Sequence, residues 1–148
     1  MKTTQFSTPI VIVVTSLLVF NAYQASINFE RMSVVIIISS VVLASVGLLF
    51  YKLDIAIDSE RIFMKFGIGL IRKTIPLEAI ADTKQVKNSF FAGWGLRYHA
   101  KYTLYNASSQ KAVELSFKDK SMKIRIGTRH PEEIIAYLSS HIHRNQDL

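Results

Sequence analysis

Four histidines, His99, His130, His141 and His143, are the side chains best suited to proton transfer near neutral pH, and they are scattered along the chain. His141 and His143 lie two residues apart, which points them to different faces of a helix and works against joint metal binding. The chain has no cysteine, so disulfides, thiol nucleophiles and cysteine-ligated metals are excluded. It shows no spaced carboxylate pair, nucleophile elbow or phosphate-cradling glycine loop, and Gly67-Ile-Gly69 has no following helix to open. The expectation is a protein that is not an enzyme and holds no cofactor and no metal.

Other residues are suited to contact rather than reaction. Phe90-Phe-Ala-Gly-Trp-Gly-Leu-Arg97 surrounds the only tryptophan with glycines. Gly93 and Gly95 would permit unusual dihedrals at a corner where Trp94 packs inward. Alternatively, Phe90, Phe91 and Trp94 form an aromatic edge that touches a bilayer or a partner. Arg72, Lys73, Lys84, Lys87, Arg97 and Lys101 could gather at an anionic membrane surface, each contributing about 1 kcal/mol there. Their alternative is a solvated positive face. The candidate contact residues are therefore Phe90, Phe91, Trp94, Arg97, Lys84 and Lys87, for a protein partner or an anionic lipid. Nucleic acid is not expected, because aromatics and charges are not interleaved on a recognition strand.

The elements that would position these residues fall into two parts. From Met1 to Lys52 the charges are Lys2, Glu30, Arg31 and Lys52 alone; the rest of the chain carries 15 Lys or Arg against 10 Asp or Glu. Two apolar runs fill the first part, helices expected over about 9–27 and 34–51. About 20 helical residues cross a bilayer core, so each run is about the length of a span. Basic residues flank both outer ends, whereas the connection Asn28-Phe-Glu-Arg-Met-Ser33 is balanced. This predicts a transmembrane hairpin (residues 1–52) in an inner membrane, multi-pass, with both termini cytoplasmic. Cleavage of the first run as a signal peptide near Ala22–Ala25 is the competing reading. Small residues recur along both runs, among them Thr15 and Ala22 in the first and Ser40, Ala44 and Gly47 in the second. They suit close packing of the two helices, or a homo-oligomer face through Ser40, Ala44 and Gly47. Asn21 and Gln24 read as an interfacial cap.

From Leu53 the apolar period becomes two, the strand period. Strands are expected near 53–57, 61–66, 70–75, 81–87 and 100–105, with a turn at Asp58-Ser-Glu60 and Pro76 ending the third. Residues 88–98 are expected as a loop. A turn at Asp119-Lys120 sets Val113 opposite Ile126, Leu115 opposite Ile124 and Glu114 opposite Arg125. Slipping this register by one residue would set apolar side chains against polar ones. Pro131 opens a final helix with Glu132 and Glu133 in its first turn and a stripe of Ile134, Ile135, Leu138 and Ile142.

The order of these segments resembles the bacterial PH-like (pleckstrin-homology-type) domain membrane proteins. The residues carrying the likeness are Gly67 with Leu70-Ile-Arg-Lys73, Ile75-Pro-Leu-Glu-Ala-Ile80, Gly93-Trp-Gly-Leu-Arg97, Val113-Glu-Leu115 and Ile126-Gly-Thr-Arg-His-Pro131. The resemblance implies that residues 53–148 form a PH-like antiparallel β-barrel or sandwich of about seven strands capped by a C-terminal helix. It also implies a binding or scaffolding module at the membrane, in a family whose role is mostly uncharacterised. It does not imply a phosphoinositide site, since the turn between the first two strands after the hairpin, Asp58-Ser-Glu60, repels phosphate.

Overall fold

The computed structural model of the chain describes residues 1–89 and 93–144, the side chains of 28–33 and 142–144 excepted. Helical backbone runs over α1, Thr8–Phe50, in two apolar arms, Thr8–Ile27 and Val34–Phe50. A straight helix would separate residues 21 and 39 by about 27 Å at 1.5 Å per residue. Instead the Asn21 side-chain amide donates to Ser39 Oγ at 2.9 Å and Ser40 Oγ at 3.1 Å. The arms therefore lie antiparallel, as expected. Asn21 is a cross-arm hydrogen-bonding residue, a stronger role than an interfacial cap. Ser40 faces the first arm, and so does Gly47, where an added Cβ would sit 3.3 Å from Val14 Cγ1. Ala44 is exposed. Among the described residues the first arm is both long and apolar enough to cross a membrane by itself, with a mean hydropathy of 1.9; the second, Val34–Phe50, is apolar but shorter.

Among the described residues nine strands form two sheets: β1 (Lys2–Phe6), β2 (Lys52–Ile57), β3 (Arg61–Phe66) and β4 (Ile71–Pro76) in one, in sequential order. The other holds β5 (Ile80–Lys87), β6 (Gly95–Tyr98), β7 (Tyr102–Asn106), β8 (Lys111–Phe117) and β9 (Lys123–Gly127), in the order β5-β8-β9-β7-β6. A 3-10 turn, Leu77–Ala79, joins the sheets, and α2, Pro131–Arg144, closes the fold. The inner faces bury Leu53, Ile55, Ile62, Met64, Phe66 and Ile75 against Tyr105, Val113, Leu115 and Ile126. Ile134 and Leu138 of α2 are fully buried in the same core, and Ile135 is partly so.

Three expectations need correction. Nine strands replace about seven, because β1 comes from the residues before the hairpin and β6 from the stretch expected as loop. The second sheet is mixed rather than antiparallel, since β9 inserts between β7 and β8 and runs parallel to β7. Finally, the two sheets do not close into a barrel. The β8–β9 register, by contrast, is the expected one: Val113 opposite Ile126, Glu114 opposite Arg125 and Leu115 opposite Ile124.

Candidate functional site at the hairpin end of the sandwich

β1 runs into the first arm, the second arm runs into β2, and β1 pairs with β2 from Lys2↔Ala56 to Phe6↔Lys52. The hairpin thus grows out of a two-stranded ribbon. The Ser7 N–H donates to the Tyr51 carbonyl at 2.7 Å, joining the two crossings between sheet and helix. Ser7 Oγ donates to the Ala107 carbonyl at 2.6 Å, and the Gln5 amide to the Gly127 carbonyl at 3.0 Å. Phe50 meets Phe66 edge-on, with ring centroids 5.6 Å apart, which carries the second arm into the core. Five segments therefore meet at one end of the sandwich: 5–7, 50–52, 67–70, 93–95 and 106–111.

That end carries an open groove of about 720 Å³ lined by Lys87, Lys111 and Arg129 with Gln85, Ser109 and Gln110 and, among the described residues, by no carboxylate. Lys87 and Lys111 are direct cross-strand partners. Like charges placed opposite each other destabilise a sheet, so this pairing is unfavourable unless an anion offsets it. Arg129 joins them because the Thr128 N–H donates to the Lys111 carbonyl at 2.9 Å. Ser109, whose hydroxyl donates to the Thr128 carbonyl at 2.7 Å, lies two residues from the Ala107 carbonyl that holds Ser7. The groove is therefore next to the start of the first arm.

Of the sequence-based candidates, Lys87 lines this groove. Phe90 and Phe91 lie outside the described residues. Trp94 is half-buried at the same end, where its carbonyl accepts from Arg97 Nε at 3.3 Å. Beside it, the Gly95 position leaves room for the Phe50 ring: an added Cβ would sit 3.3 Å from it. Gly93 and Gly95 have φ of 82° and 84°, the unusual dihedrals that glycine permits at this corner.

Lys84 belongs elsewhere. It lies 3.4 Å from Glu114, which also meets Lys123 at 2.9 Å and Arg125 at 2.7 Å. Burial pushes the Glu114 carboxyl up, but hydrogen bonds from Lys123 and Arg125 and their positive charges outweigh it and hold it at about 2. The Arg125 guanidinium stacks over the Tyr102 ring at 3.7 Å. This ion cluster fixes β5, β8 and β9 together. Lys101 sits at the turn remote from the hairpin.

Lys111 and Arg129 were not legible as site residues. They are eighteen positions apart, yet the expected β8–β9 register already sets Lys111 beside Thr128 and Arg129; what no local pattern shows is the pairing of β5 with β8, which brings Lys87 to them. At the far end of the sandwich, Asp58 Oδ1 accepts from the Glu60 and Arg61 N–H groups at 2.9 and 2.8 Å. These bonds close the turn, and the length of β2 and β3 separates it from the hairpin. A second cleft, of about 370 Å³, opens between β4 and the mixed sheet, with Ile75, Tyr105, Phe117 and Ile124 in its walls and the exposed Tyr98 and Met122 at its mouth. Among the described residues no group of three His, Asp or Glu side chains is placed to hold a metal. Compared with protein-family models, curated proteins and solved structures, the chain shows no match.

Proposed function

We propose that this chain is a membrane-anchored binding module of the PH-like kind whose anchor-end groove engages the phosphate of anionic lipids. Both arms cross an inner membrane, and the termini and the sandwich lie on its cytoplasmic side. The first arm carries this reading through its length and apolarity. The second extends about 26 Å at 1.5 Å per residue, close to the roughly 30 Å of a hydrocarbon core. The groove lies where the arms end, so its cations sit at the depth of lipid headgroups. Three cations near an anionic leaflet contribute about 3 kcal/mol, a preference of roughly a hundredfold.

Native mass spectrometry of the full chain released from micelles tests the lipid reading. The chain should retain phosphatidylglycerol over phosphatidylcholine, and the double substitution Lys111→Glu with Arg129→Glu should remove the preference. Equal retention of both lipids by the unaltered chain would sink it. Topology is checked separately with a single cysteine at Ser59, which should react with an impermeant maleimide only after the cytoplasmic face is opened.

A second reading, a scaffold that docks a protein, has its support in the cleft beside β4. Tyr98 at its mouth is 78% exposed. A photo-crosslinker at Tyr98 should then capture one defined partner in intact membranes while one at Ser59 captures none.

A further inference from the structure

We infer that the turn between β3 and β4, with Ile68 and Leu70 at its tip, inserts into the bilayer beside the hairpin as a third membrane contact; this rests on the reading of the hairpin as membrane-spanning. The Ile68 N–H donates to the Leu48 carbonyl at 3.2 Å, and the Gly67 N–H to the Lys52 carbonyl at 2.9 Å. The turn thus lies level with the last helical turn of the second arm, two residues below its end at Phe50. It satisfies one of the carbonyls that a helix end leaves without an intrahelical partner.

Gly67 is the residue that permits this approach. Its φ is +47°, and any Cβ there would run into the Leu48 carbonyl oxygen and come within 2.6 Å of the Leu49 oxygen. The turn is therefore shaped to sit against the helix. What it presents outward is apolar: Ile68 is 59% and Leu70 73% exposed, next to Leu48 at 55% and on the same end as Phe6 at 60%. No charge occurs from Gly67 to Leu70.

Charge begins two rows up, apart from Lys52, which lies level with Gly67 and turns its ammonium towards Asp54 at 3.1 Å. Lys65 and Arg72 are direct partners across β3 and β4, and Lys65 also opposes Asp54 on β2. Two residues of strand rise about 6–7 Å, the separation between acyl boundary and headgroups. Contiguous exposed apolar surface usually has an occupant. Here the occupant is lipid, because the patch continues the apolar surface of the second arm at the depth of Leu48. A second copy of the chain or a soluble partner would have to compete with lipid for that position.

The absence of cysteine makes single labels unambiguous. Leu70→Cys, Ser59→Cys and Val42→Cys would each carry an environment-sensitive fluorophore in full-length protein reconstituted in phosphatidylcholine–phosphatidylglycerol vesicles. The vesicles would contain lipids bearing a nitroxide quencher at shallow or deep acyl positions. The label at Leu70 should be blue-shifted relative to Ser59 and quenched several-fold more by the shallow nitroxide; that at Val42, in the middle of the second arm, should respond most to the deep one. If Val42 is quenched and Leu70 behaves like Ser59, the inserted turn is wrong while the hairpin stands. Were the Leu70 label blue-shifted but unquenched, protein rather than lipid covers the turn and the inference also fails. An unquenched label at Val42 would overturn both readings.

Discussion

At the scale of single residues, Glu114 decides more than its neighbours. It is 2% exposed and is held by two hydrogen-bonded cations. Its carboxyl titrates at about 2 in the fold against 4.5 ordinarily. The folded value is the lower one, so the unfolded chain binds the proton more readily. The stabilisation is complete above 4.5 and is lost as pH falls towards 2. At 1.36 kcal/mol per unit this amounts to about 3 kcal/mol. Chemical denaturation followed across that window should show the loss, and Glu114→Gln should flatten it while lowering stability at neutral pH by about the same amount. Gly67 sets the other local limit. Gly67→Ala costs about 1–2 kcal/mol for its left-handed backbone alone, and the collision with the Leu48 carbonyl adds to that. The variant should melt several degrees lower, and amide exchange at Ile68 should rise more than at Ile62, because the lost bond is local.

At the scale of elements, β1 is the piece that the sequence conceals. Lys-Thr-Thr-Gln-Phe is short and polar, and of its five residues only Gln5 is buried. Nothing in its own pattern demands a strand. It forms because β2 would otherwise leave an open edge beside the hairpin base. The β8–β9 hairpin was legible for the opposite reason: alternation on both strands permits one register, and Glu114 opposite Arg125 agrees with it. β7 was legible as a strand but its neighbour was not. The short link Ala107–Gln110 suggests a hairpin with β8, whereas β9 occupies the place between them. Local pattern carries strand identity and the β8–β9 register, and with it the nearness of Lys111 and Arg129; Lys87 joins them through the β5–β8 pairing, a matter of strand order that it does not carry. The role of β1 has a direct test. Residues 53–148 alone should be poorly soluble and unstable, with the β2 edge exposed. A chain in which a short glycine-rich turn replaces residues 8–50 keeps β1 and the Ser7–Tyr51 bond. It should be monomeric by size exclusion and unfold cooperatively.

At the scale of the whole molecule, the consequence of β1 is mechanical. A hairpin joined to the sandwich through Lys52 alone would let the domain swing about one backbone connection. The structure has two connections, paired to each other along β1 and β2, with Ser7 bonded to Ala107 and Ile68 bonded to Leu48 on either side. Rotation would have to break several of these at once. The groove and the β3–β4 turn therefore keep a fixed height and tilt relative to the arms, and the acidic Asp58–Glu60 turn stays at the opposite end. Fixed presentation suits a module that reads the bilayer surface, because ordering the domain costs no further entropy when it binds. Pulsed electron-paramagnetic-resonance distances between nitroxides on Val42→Cys and Ser59→Cys measure this rigidity in the reconstituted full chain. The distribution should be narrow and unchanged between vesicles with and without anionic lipid. Removing Lys2–Phe6 leaves the second arm continuous with β2 but cuts the other connection, and the distribution should then broaden markedly. Equal widths with and without β1 would mean that the single crossing at Tyr51–Lys52 already holds the domain, and that β1 serves stability alone.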